Sequence, residues 1–279
     1  MLDMQARRGS YTIRSAQGLS AEALAELWRY RGLFSALVKK QITVRYKQAV
    51  VGLIWVVARP LIMLTIFSVI FGQVAKIPVG DIPYPLFVMP PLFLWFLFSG
   101  IVTLSGVSLT NNIGVITKVY FPRILLPVAG AAAEFLDFAV TVVLLVAVAY
   151  AFDLPPAWRM CWAPAFIAIL VMQAVGLGLI LAPLNALYRD FGIALPFILQ
   201  VLMYATPIIY STAIVPEPFK SVLGLNPLVG VFDGFRWAIV GTEMPADWQI
   251  LYSACFAVVT LFLGIWVFYR LESTIVDRI

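Results

Sequence analysis

The sequence predicts an all-α polytopic membrane protein with six transmembrane helices, an N-terminal amphipathic interface helix and an outer re-entrant helical hairpin. Three observations predict it. Of the 279 residues, 62% are hydrophobic and 12% charged, and the mean hydropathy is +0.97. A soluble domain is about 45–50% apolar and about a quarter charged. Uncharged stretches recur at the length of about 20 residues that crosses a hydrocarbon core. Between Lys39 and Leu61, KKQITVRYKQAVVGLIWVVARPL, a basic segment passes without a linker into an apolar one. Such a border marks both a membrane and a side of it.

Residues 1–19 carry Arg7, Arg8 and Arg14 but no apolar run, and read as a tail rather than a cleavable leader. Residues 20–48 read as the interface helix. Ser20 suits its N-cap, and Glu22 suits the positive end of the dipole. Leu24, Leu27, Trp28, Phe34, Val38 and Ile42 form one stripe, with Glu22, Glu26, Arg29, Lys40 and Lys47 opposite, and Gly32 is the expected break. The transmembrane domain occupies 49–270, with spans at about 50–73, 86–110, 124–150, 161–187, 192–214 and 248–270. Residues 271–279 remain as a C-terminal tail.

Residues 215–247 hold two short apolar pieces, opened by Pro216-Glu217-Pro218 and by Asn226-Pro227. Asn followed by Pro is cap chemistry and a good first helical residue. Pieces too apolar for water and too short to span read as a re-entrant pair, tolerated where protein buries it.

An even number of spans puts both termini on one side. That side carries 14 Lys and Arg, against four on the other; Arg59 completes the 19. The excess predicts cytoplasmic termini.

The chain has no histidine, the commonest general base and metal ligand. It has no GxxxxGK[ST], GxSxG or HExxH, so neither an ATP-phosphate cradle nor a familiar hydrolytic site is expected. Cys161 and Cys255 belong to no metal-type cluster and stand as free apolar thiols or as a disulfide. The charges inside the spans are the functional candidates, because each costs on the order of 2.5–3.5 kcal/mol at the bilayer centre if unpaired. Arg59 lies about nine residues into span 1, roughly 14 Å. Glu134 lies about ten residues into span 3, roughly 15 Å, and Asp137 is one turn deeper on the same face. Equal depth makes Arg59–Glu134 the expected ion pair, with Asp137 next. The alternative is that Arg59 faces a lumen and meets an anionic substrate group.

Arg31 and Arg45 project toward the apolar stripe of the interface helix, where they suit lipid phosphates or a diphosphate on a lipid-linked substrate. Tyr46 and Lys47 stand beside them. Trp95, Tyr204 and Tyr210 are aromatic pathway candidates, the two tyrosines bracketing Pro207. The loop 111–123 has a middle, Ile113 to Tyr120, that suits a short amphipathic helix for docking a soluble partner. The tight turn 184–192 carries Arg189 and Asp190 at its tip.

VRYKQAVVGLIWVVARPL, NNIGVITKVYFPRILLP, LNALYRDFG, LPFILQ, TPIIYS and NPLVGVFDGFRWAIVG follow one another in that order. With these motifs, over about 40–270, the chain resembles a permease subunit of the ABC-2 family, in its polysaccharide-export branch. The resemblance implies a homodimer in the bacterial inner membrane, two copies of a separate ABC ATPase that bind the ATP and magnesium, and a lipid-linked O-antigen, teichoic acid or capsule precursor as cargo. It implies no cofactor on this chain, no catalytic residue and no nucleic-acid partner. It places Ile113, Ile116, Thr117, Lys118 and Tyr120 in a coupling helix on the ATPase, with Arg189 and Asp190 as further contacts. Val44 to Gln48 would end the interface helix at the cytoplasmic mouth. Arg59 departs from the uncharged amide expected before this proline in such permeases. A lipid or drug permease, an intramembrane glycosyl- or phosphotransferase using Glu134 and Asp137, and an ion-coupled carrier are the alternatives.

Overall fold

A computed structural model describes residues 28–46 and 52–276, and the described residues fold into helices without a β-sheet. Ten α-helices are described: α1 (Arg31–Tyr46), α2 (Gly52–Phe67), α3 (Tyr84–Gly106), α4 (Ile113–Ile116), α5 (Leu125–Ala151), α6 (Ala163–Leu187), α7 (Asp190–Ala205), α8 (Glu217–Gly224), α9 (Val229–Val240) and α10 (Asp247–Val276). A π-helical stretch, Ser68–Val74, prolongs α2.

Among the described residues five segments are long and apolar enough to cross a membrane: Ile54–Val74, Tyr84–Gly106, Leu125–Ala151, Trp158–Leu187 and Asp247–Glu272. The fifth of the six expected spans is instead the 16-residue apolar helix α7, roughly 24 Å long. It stops at Ala205 because Pro207 forces Thr206 out of the helical region, to φ −105° and ψ 142°. α10 runs on to Val276, into the stretch expected as a tail.

α3 is the axis of the bundle, with 78% of its most apolar window buried, against 17% for the α2 segment. Its side chains Met89, Leu92, Phe93, Leu97 and Phe98 build the larger core with residues of α6 and α9. A smaller core gathers Leu37 of α1, Leu109, Phe121, Leu126 of α5, Leu179 of α6 and Phe268 of α10. Small residues set the closest crossings. A Cβ on Gly176 would stand 2.6 Å from the backbone carbonyl carbon of Thr260, so α6 and α10 meet backbone to backbone. Gly176→Leu is therefore expected to destabilise the protein by about 1–3 kcal/mol or more through overpacking, read as a lowered melting temperature in detergent.

The interface helix differs from its expected form. The break falls at Tyr30 rather than Gly32. Trp28 therefore sits on a separate turn and is 71% exposed, off the stripe that periodicity gives it. α1 lies along α5 with Leu33, Phe34, Leu37 and Val38 inward. Ser20, Glu22, Leu24, Glu26, Leu27 and Lys47 lie outside the described residues. Cys161 and Cys255 are free and exposed.

Where α7 ends, the chain leaves helix inside the protein, and every freed carbonyl needs a donor. Asn226 Nδ2 donates to Ala205 O at 3.2 Å, and Tyr84 OH donates to Ile209 O at 2.7 Å. Arg236 of α9 donates through Nη2 to Pro207 O and, at 3.2 Å, to Ile208 O. Its Nε donates to Phe87 O at 3.2 Å. That carbonyl lacks its helical donor because the residue four further on is Pro91. Nη1 completes a 2.5 Å ion pair with Asp233. Arg236 is 2% exposed and Asp233 7%. One arginine thus serves two proline-interrupted stretches and ties the short helix α9 to α3 and to the segment that follows α7.

Candidate functional site

A groove of about 870 Å³ opens between α1, α2, α3, α5 and α7. Its wall contains Arg45, Tyr46, Arg59, Trp95, Glu134, Asp137 and Tyr204 of the sequence candidates. It also contains Trp55, Ser99, Thr103, Thr141 and Gln200, which are not among those candidates, although Trp55 and Gln200 fall within the motifs VRYKQAVVGLIWVVARPL and LPFILQ. Gln200 is legible as an amide inside an apolar helix, and Trp55 as an aromatic one turn before Arg59.

The end of α1 lies over α5, which decides the pairing of the carboxylates. Arg45 Nη2 meets Glu134 Oε1 at 2.6 Å, and Nη1 meets Asp137 Oδ2 at 2.5 Å. Tyr46 OH donates to the other oxygen of Asp137. Glu134 is 6% exposed, and its carboxylate lies over Gly100 of α3, where any Cβ would collide with it. Burial by itself would lower the Arg45 pKa; the hydrogen bond and charge of Glu134, then the charge of Asp137, hold it above its ordinary value. Burial and the hydrogen bond to Asp137 push the Tyr46 phenol up to about 12.

The expected Arg59–Glu134 pair is thus replaced by Arg45–Glu134 and Arg45–Asp137. Counting residues into a span gives depth but not the direction a side chain takes around its helix. Arg59 points to α3 instead, where its guanidinium stands over the Phe96 ring at 5.0 Å. Among the described residues it makes no salt bridge, and it is exposed to the groove. The cation–π contact is worth roughly 0.5–2 kcal/mol and leaves its donors free.

Other candidates fall elsewhere. Arg31 is exposed, 5.4 Å over the Trp28 ring and away from the groove. Trp95 reaches the groove but packs mainly in the core, against Phe98 and Phe232. Tyr204 lines the groove, whereas Tyr210 lines a second, apolar cavity of about 570 Å³ with Phe219 and Val222 of α8.

The loop candidates share one end of the bundle with α1. Lys40 Nζ donates to Asn112 Oδ1 at 2.8 Å, and Asn185 Nδ2 donates to Gly106 O at 3.2 Å. The helix expected across Ile113 to Tyr120 covers only Ile113–Ile116. Thr117 turns its hydroxyl back onto Ile113 O, and Pro122 lies ahead. Ile113, Thr117, Lys118, Tyr120, Arg189 and Asp190 are exposed, while Ile116 packs partly against the smaller core.

Residues 32–240 match the family model described as ABC-2 type transporter. The chain is 28% identical over 242 residues to an O-antigen export system permease protein RfbA from Klebsiella pneumoniae, covering 86% of this chain and 92% of that protein. It is 26% identical over 238 residues to the protein of the same name from Myxococcus xanthus, covering 85% and 91%. It is 26% identical over 236 residues to the polysialic acid transport protein KpsM of Escherichia coli, covering 82% and 90%. With the family model spanning α1 through α9, the chain belongs to the ABC-2 type transporter family.

Proposed function

We propose that this chain is the membrane permease of an ATP-driven exporter that carries a lipid-linked polysaccharide, O-antigen-like, across the bacterial inner membrane. The observation that carries the reading is the groove, where Arg59 makes no salt bridge among the described residues and is exposed to the open space, beside a cluster in which Arg45 already holds both Glu134 and Asp137. A free guanidinium suits an anionic diphosphate. Trp55, Tyr204, Gln200, Ser99 and Thr141 supply ring faces, an amide and hydroxyls, the partners that sugars use. The relatives' names, O-antigen export and polysialic acid transport, support the same cargo class.

Lipid tails leave an arginine such as Arg59 uncompensated, so its open edge needs water or protein. A second copy across α2 and α7, which expose Trp55, Ile62, Phe197 and Val201, would close the groove into a lumen. The basic end, with α1, α4 and the 188–190 turn, would face the cytoplasm and two ABC ATPase subunits. Those subunits would bind ATP and magnesium, and this chain would act as a transport component without its own ATP site.

The test is reconstitution in proteoliposomes with the cognate ATPase and an undecaprenyl-diphosphate-linked glycan. ATP-dependent movement of the glycan, in preference to phospholipid or drug-like amphiphiles, is expected. ATP hydrolysis by the purified chain alone counts decisively against the proposal. Arg59→Gln is expected to lower transport roughly tenfold, the worth of one charge-assisted hydrogen bond, with the melting temperature lowered only by the loss of the contact to Phe96. Unchanged transport with a lowered melting temperature would instead make Arg59 architectural.

A further inference from the structure

The polar side chains at the basic end form a connected chain. Lys40 Nζ of α1 donates to Asn112 Oδ1 at 2.8 Å. Asn112, which is buried, donates through Nδ2 to Ser108 O at 2.8 Å. Ser108 Oγ donates to Ser105 O at 2.7 Å, and Ser105 Oγ donates to Pro127 O at 2.8 Å. α1, the turn that opens the 110–116 loop, the end of α3 and the start of α5 are thereby joined.

Asn112 sits at the junction between the turn Thr110–Asn112 and α4, so Lys40 holds the loop itself rather than α3. Five residues further along the same helix, Arg45 holds Glu134 and Asp137 at the groove. The two ties are roughly 7.5 Å apart along one α-helix. A continuous helix over that length delivers at one tie a displacement received at the other. A Lys ammonium on its four-carbon stem suits a sliding contact, because its three donors rotate without a fixed fork.

We propose that Lys40 and Asn112 are positioning residues of transport: their contact carries movement of the 110–116 loop along α1 to Arg45, which then loosens its hold on Glu134 and Asp137 and opens the groove mouth. The inference rests on the proposed function, in which this loop meets the ATPase. It predicts a defect in the response to ATP, not in folding or in ATP turnover.

The experiment uses the full permease–ATPase complex in proteoliposomes. An environment-sensitive fluorophore is placed at Val44→Cys, an exposed position of α1 beside Arg45, after Cys161→Ser and Cys255→Ser. ATP is expected to shift its emission in the parent complex. Asn112→Ala and Lys40→Met are expected to reduce the shift roughly fivefold or more, the lower end of coupling between linked sites, with ATP hydrolysis unchanged. Lys40→Arg, which keeps a donor, is expected to retain most of it. A shift that persists in both Asn112→Ala and Lys40→Met overturns the proposal. So does its absence from the parent complex. A parallel loss of ATP hydrolysis also overturns it, because these residues would then serve docking. The readout needs no cargo, so failure to move a glycan would refute the transport reading while this result stood on its own. Lys40 is exposed, so Lys40→Met still reports if Asn112→Ala fails to fold.

Discussion

Replacing Arg236 by glutamine is expected to destabilise the protein more than any other single charge change in the bundle, by about 3–5 kcal/mol, the range for breaking a buried ion pair from one side. The substitution strands Asp233 at 7% exposure. It also removes the donors to Phe87 O, Pro207 O and Ile208 O. Thermal unfolding in detergent measures the loss. Asp233→Asn is expected to cost distinctly less, because Arg236 keeps its three carbonyls and an amide can still accept one hydrogen bond. The double variant Asp233→Asn/Arg236→Gln should fall between the two. If Asp233→Asn and Arg236→Gln were equally damaging, the ion pair rather than the carbonyls would be what matters, and closing the two proline breaks would not be what Arg236 contributes.

Arg45→Met is expected to have the second largest effect, and to act on transport as well as on stability. It leaves Asp137 with Tyr46 and takes from Glu134 the hydrogen bond of its guanidinium partner. An unpaired carboxylate at Glu134 costs up to about 3 kcal/mol, and Asp137, a quarter exposed, less. The end of α1 should then detach from α5. Hydrogen exchange along residues 31–46 reports that release, and the melting temperature reports the penalty. Adding Glu134→Gln and Asp137→Asn removes both charges and should restore the melting temperature without restoring transport. A full melting temperature in Arg45→Met itself would show that α1 is not held by this clamp.

These two arginines also mark where the sequence is legible and where it is not. Periodicity and span length locate the helices to within a few residues, because lipid imposes a minimum length on every crossing. The exceptions are the shortened α7, although Pro207 is visible at its end, the single turn of α4 and the overrun of α10 to Val276. The groove is half legible. Arg45, Arg59, Glu134 and Asp137 stand out as costly charges, but their pairing depends on which helix overlies which. An amphipathic stripe predicts that α1 lies on lipid, and its resting place along α5 is a tertiary fact that no hydrophobic stripe encodes. Arg236 enters the charge count only as one of four on the outer side. Its signal is an Asp-x-x-Arg spacing inside a short apolar helix together with two proline breaks elsewhere. Reading it requires asking which buried carbonyls have lost their own donors.

The Arg236 contact has a consequence for the order in which the chain is made. Phe87 and Arg236 are separated by 149 residues, and Tyr84 and Ile209 by 125. At about 5–20 residues per second of synthesis, α3 waits on the order of ten to thirty seconds for the side chain that completes it. During that interval the Phe87 carbonyl lacks the side-chain donor it has in the finished fold. A nascent chain halted before residue 236 therefore has its second span without the donor that the Phe87 carbonyl has in the finished fold.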